Sequence, residues 1–140
     1  MDIQKEIIRL VKRYGTSNPF ELAEAMGIII RKEELGHYYG FHNYACKQHF
    51  IHINWSLCYE LQRYTCAHEL GHAILHSRTN TSYLAKHTMF SVDRIEHQAD
   101  EFAVRLLTYG MEPIEGMTLR EASAIYGVLP DRAELLRAVV

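Results

Sequence analysis

Apolar residues recur every three or four positions over residues 3–14, where Ile3, Ile7, Leu10, Val11 and Tyr14 fall on one helical face. Gly15 ends the run. A second helix starts at Asn18-Pro19, with asparagine as N-cap and proline at the first helical position, where its missing N–H leaves nothing unpaired. It turns Phe20, Leu22, Ala23 and Met26 inward and closes at Gly27. The period then shortens. Ile28-Ile29-Ile30-Arg31 is β-branched and reads as a strand, and residues 38–46 and 50–54 read as two more, joined tightly by Lys47-Gln48-His49. In the last strand Ile51 and Ile53 alternate with Phe50, His52 and Asn54, so the isoleucines face the core. The expected sheet is small, three-stranded and antiparallel. His37, His42, His49 and His52 fall on its strands or turns as solvated or hydrogen-bonded residues, not as ligands.

A long helix over residues 57–76 follows, capped by Asn54 or Ser56. Leu57, Leu61, Tyr64, His68, His72 and Leu75 share one face, while Cys66, Leu70, Ala73 and Ile74 cover the opposite side of its second half. A helix apolar nearly all round is a buried one. Gly71 costs about 1 kcal/mol relative to alanine in mid-helix, which points to a close neighbour there. Residues 77–91 are polar and irregular and read as a loop carrying Tyr83 and His87. The next helix spans about 92–109, with an apolar arc of Val92, Ile95, Ala99, Phe102, Ala103, Leu106 and Leu107. Glu96 lies inside that arc and Asp100 at its edge, one turn on. Asp93, Arg94, His97, Gln98, Glu101 and Arg105 point the other way. Thr118–Glu121 is a capping box opening a short helix to Tyr126, and Pro130-Asp131 opens a last one through Leu136.

The chemistry sits on the buried helix as H-E-x-x-H: His68, Glu69 and His72. Residues four apart on a helix lie about 40° apart around the axis and roughly 6 Å along it, so both imidazoles can grip one ion. Glu69, about 100° round from His68, reaches a metal-bound water without ligating the metal, the arrangement of zinc hydrolases. Two imidazoles within a buried face need partners, and a shared Zn2+ satisfies both. Glu96, a lone carboxylate on a core-facing stripe, is the natural third ligand, leaving one open position for catalysis. Asp100 is placed to accept a hydrogen bond from the free ring nitrogen of a ligating histidine. His76 has the wrong spacing for a longer zinc signature and reads as a helix-end residue favoured by the dipole.

Length and composition narrow the setting. The 140 residues are read as one domain, a core over about 15–109 with a helical extension over 110–140. Hydrophobic residues at 48% and charged ones at 23% are ordinary for a globular protein. A net charge of −2 and a pI near 6.5 leave no footprint for direct nucleic-acid binding. The first two helices have the look of a helix-turn-helix start, but packing against the sheet is the better reading. Three cysteines without a C-x-x-C pair imply buried or half-buried thiols rather than disulfides. No signal peptide or apolar run of about 20 residues is present, so the expected setting is cytoplasmic, without a membrane partner.

The paired segments A-H-E-L-G-H-A-I-L-H (67–76) and E-x-x-A-D-x-F-A-x-x-L-L (96–107) resemble the ImmA/IrrE family of zinc metallopeptidases. The likeness covers most of residues 15–109. It implies an α+β, minimal zincin-like fold: N-terminal helices, a small sheet, the H-E-x-x-H helix packed on a Glu-bearing helix, and short C-terminal helices. It implies His68, His72 and Glu96 as zinc ligands and Glu69 as catalytic residue. The implied substrate class is helix-turn-helix repressors, cut to derepress a mobile element or stress regulon. The rival reading is a non-catalytic zinc-containing anti-repressor that acts by binding the repressor.

Overall fold

A computed structural model describes residues 2–76 and 89–111. Along them run α1 (Ile3–Tyr14), α2 (Pro19–Ala25), β1 (Ile29–Glu33), β2 (Gly40–Ala45), β3 (Gln48–Asn54), α3 (Tyr59–Leu75) and α4 (Met89–Leu107). The expected helices beyond Thr118 lie outside the described residues, as do Tyr83 and His87. The start of α4 at Met89 takes the last part of the expected loop into a helix.

The first two helices have the ends that their residues dictate. The Asp2 carboxylate accepts the Lys5 N–H at 3.1 Å, and Gly15, at φ 76°, closes α1 in the left-handed region that glycine tolerates. The Asn18 Oδ1 accepts from the Phe20 and Glu21 N–H groups, with Pro19 at the first helical position. Ile3, Ile7 and Leu10 bury one face of α1, and Leu22 and Ala23 bury that of α2. Phe20 and Met26 pack against the same core only partly buried. The two helices pack as structural elements, α1 against α4 and α2 against α3 and β1.

The sheet departs from the antiparallel expectation. Its order is β1-β3-β2. β2 and β3 form the expected antiparallel hairpin, from Gly40 opposite Ile53 to Ala45 opposite Gln48. β1, however, pairs with β3 in parallel, Ile29 opposite Phe50 through Glu33 opposite Asn54, so the sheet is mixed. Alternation in a strand reveals which face is buried, but says nothing about which neighbour it takes or in which direction. The hairpin turn is also tighter than expected. Cys46 and Lys47, at φ 53° and 60°, form it alone, the positive dihedrals that a two-residue turn uses to match strand twist. Gln48 and His49 already belong to β3.

Ile51 and Ile53 are fully buried, as their alternation requires, in a core with Leu70, Phe102 and Leu106. α3 starts later than expected, after Cys58, without a side-chain cap. Asn54 and Ser56 are engaged elsewhere: the Asn54 amide donates to the Gly36 and Tyr38 carbonyls, and its oxygen accepts from Ser56. Two glycines set the packing around α3. A Cβ on Gly71 would stand 3.1 Å from Phe102 of α4. A Cβ on Gly40 would meet the His52 carbonyl oxygen at 2.4 Å and the Thr65 methyl at 2.6 Å, so only glycine lets β2 lie this close to α3. Among the described residues no helix is long and apolar enough to cross a membrane.

Candidate metal centre

Burial along the second half of α3 is nearly continuous from Tyr64 to Ala73, interrupted only by the half-buried His68. Glu69 and His72 are buried, His68 is half-buried, and both histidines meet α4. Their candidate ligand atoms lie within 4.8 Å of one another. From α4, Glu96 reaches across with both oxygens: Oε2 is 2.9 Å from His68 Nε2 and Oε1 is 2.9 Å from His72 Nε2. One turn later Asp100 Oδ1 accepts from His68 Nδ1 at 2.9 Å. The structure thus brings together all five residues singled out from the sequence, the exposed His97 staying outside.

The charges balance unevenly. Burial works against a proton on His68, but hydrogen bonds to Asp100 and Glu96, with the charges of Glu69 and Glu96, raise its pKa to about 10. For Glu96 burial favours the neutral acid, yet His68 and His72 hold it well below the usual carboxylate range. Glu69 goes the other way, since burial pushes its pKa up despite the pull of both histidines. A carboxylate so raised is poised to take and return a proton.

Two atoms at this centre are buried without a hydrogen bond: Glu69 Oε1 and His72 Nε2. The His72 nitrogen is close to Glu96 Oε1, but in a geometry that makes no hydrogen bond. Each such orphan costs about 1–3 kcal/mol. A divalent cation held by His68, His72 and Glu96 would remove the deficit at His72, and two imidazoles with one carboxylate are a donor set suited to it. The residues fit a metal ion.

Three further residues shape the centre. The buried Tyr64 donates its hydroxyl to Asp100 Oδ1 at 2.6 Å, so Asp100 is itself held. Tyr64 precedes His68 by one turn on the same face, and that spacing was the available signal. His76 Nδ1 lies 3.3 Å from His72 Nδ1, and its Nε2 lies 2.8 Å from Gln98 Oε1. Gln98 was expected to point away from the apolar arc; it is half-buried, and its side chain reaches His76 at the end of α3.

The chain is similar to known proteins. A sequence profile of the peptidase family described as the IrrE N-terminal-like domain matches residues 23–110. The "Metallopeptidase ImmA" of Bacillus subtilis (strain 168) is 34% identical over 134 residues, covering 90% of this chain and 78% of that protein. The chain belongs to the ImmA/IrrE family. A second relative, the "Uncharacterized immunity region protein 2" of Bacillus phage phi105, is 43% identical over 106 residues, 75% of this chain and 67% of that protein. The ImmA/IrrE match begins within α2 and ends just beyond α4, so it takes in the sheet and both site-bearing helices.

Proposed function

We propose that the chain is a zinc-dependent endopeptidase in which His68, His72 and Glu96 hold the ion and Glu69 is the general base. The observation that carries this is the convergence of two Nε2 atoms on the two oxygens of one carboxylate, beside a buried carboxylate with an unpaired oxygen. Zinc bound there supplies Lewis-acid polarisation of a scissile carbonyl and of the attacking water. Glu69 takes the proton from that water and returns it to the departing amine, a transfer suited to its raised pKa. Asp100, braced by Tyr64, keeps the His68 proton on Nδ1 so that Nε2 faces the ion. The peptide lies extended along β2, the edge strand of the sheet nearest α3.

The substrate in this reading is a helix-turn-helix repressor, whose cleavage releases transcription of a mobile element. The phage immunity-region relative and the ImmA metallopeptidase support that choice. The deciding experiment pairs the protein with a helix-turn-helix repressor, sought first in the adjacent reading frame. Glu69→Gln retains the metal but loses cleavage by about 10²-fold or more, seen as absent fragments in mass spectra. Cleavage at the parent rate by that variant would sink the mechanism. Stoichiometric binding that frees the repressor from DNA without fragments would favour a non-catalytic anti-repressor.

A further inference from the structure

The metal-site reading assigns His76 no part, yet His76 is the side chain against the far nitrogen of His72. Hydrogen-bond directions along this row follow from a single atom. The Gln98 Oε1 can only accept, so at 2.8 Å it takes the Nε2–H of His76. With its proton on Nε2, a neutral His76 offers a lone pair at Nδ1. That lone pair faces His72 Nδ1 at 3.3 Å, which must then be the donor. A proton on His72 Nδ1 leaves Nε2 with its lone pair, directed to the side where Glu96 stands at 2.9 Å without hydrogen bonding. The two candidate ligand histidines are therefore braced by different chemistry: a carboxylate behind His68 and a neutral imidazole behind His72.

We infer that His76 is a positioning residue, oriented by Gln98, that fixes the Nδ1–H tautomer of His72 and so presents Nε2 to the ion. This rests on the reading of His68, His72 and Glu96 as ligands. Partners behind ligating histidines are typically worth about 10–100-fold in metal affinity. An uncharged acceptor at 3.3 Å belongs at the weak end of that range.

The test uses the full chain with zinc alone and reads affinity by competition with a chromogenic chelator. His76→Phe keeps an aromatic ring but removes the acceptor, and is expected to weaken zinc binding by about tenfold. His76→Gln, whose side-chain oxygen can accept, restores most of the loss. Gln98→Met, which leaves His76 in place, weakens binding by about threefold and guards against a folding defect in the His76 variants. Long-range proton–nitrogen NMR of the zinc-loaded parent is expected to show the His72 proton on Nδ1 and the His76 proton on Nε2. Affinity within about twofold of the parent in both His76→Phe and Gln98→Met, or a His76 proton on Nδ1, overturns the inference. His72→Ala separates the two levels. If it abolishes zinc binding while His76→Phe is silent, only the positioning role fails; if it changes nothing, the ligand reading fails with it.

Discussion

If His68, His72 and Glu96 hold zinc as proposed, loading should expel a proton from His68. His68 bridges Asp100 and Glu96 at 2.9 Å each, and, despite burial, these hydrogen bonds raise its pKa to about 10. With that pKa and no metal bound, it would carry a proton on both nitrogens at pH 7. A metal can take Nε2 only after that proton leaves, whereas Glu96, held well below the usual range, has none to lose. Three pH units separate pH 7 from that pKa, so protons oppose zinc by about 10³-fold, or about 4 kcal/mol. Zinc affinity should thus rise about tenfold per pH unit between pH 6 and 8. Calorimetric titration in buffers of differing ionisation enthalpy should count about one proton released per zinc. The sign for the metal-free fold is opposite. A raised histidine pKa stabilises fully below the unfolded value of about 6.5, and that contribution is lost as pH rises through about 10. Affinity flat across pH 6–8 with no proton released would refute this account of the site.

Gly71→Ala places a methyl 3.1 Å from the fully buried Phe102. Overpacking of about 1–3 kcal/mol against about 1 kcal/mol of better helix propensity gives a net loss of about 1 kcal/mol in urea unfolding, with weaker zinc binding as α3 and α4 separate. A stabilised variant of parental affinity would contradict this. His42 lies fully buried against His49, and burial, followed by the charges of His49, His72 and His76, lowers its pKa to about 4. A depressed histidine pKa means that the unfolded chain binds the extra proton first. Metal-free protein should lose stability as pH falls from 6.5 to 4, by up to about 3 kcal/mol, and His42→Phe should flatten that slope. An unchanged slope in urea titrations would count against the assignment.

Much of this architecture was readable from the chain, and the failures have physical reasons. Asn18-Pro19, Gly15 and the Ile51/Ile53 alternation act through their own backbone or the nearest turn, and they appear where expected. Glu96 stood out because a carboxylate on an apolar stripe needs a partner. The parallel pairing of β1 with β3 was hidden, since nothing in Ile29–Glu33 encodes its neighbour. The cap of α3 was misread because Asn54 has competing backbone acceptors supplied by a distant loop at Gly36 and Tyr38. Gly40 gave no local signal, because its need arises from α3 passing over β2. His76 was read from its spacing and helix-end position, and Gln98 by angle around its helix, which ignores the reach of a long side chain.

The strand order has a consequence for synthesis of the chain. β3, last of the three to leave the ribosome, is the central strand and, among the described residues, the sole partner of β1. At about 5–20 residues per second, Ile28-Ile29-Ile30 waits a second or more with its ladder unmade, an invitation to pair with another nascent chain. Arg31 and Lys32, exposed on the finished strand, sit beside that triplet as charges that discourage such pairing before Gln48–Asn54 arrives.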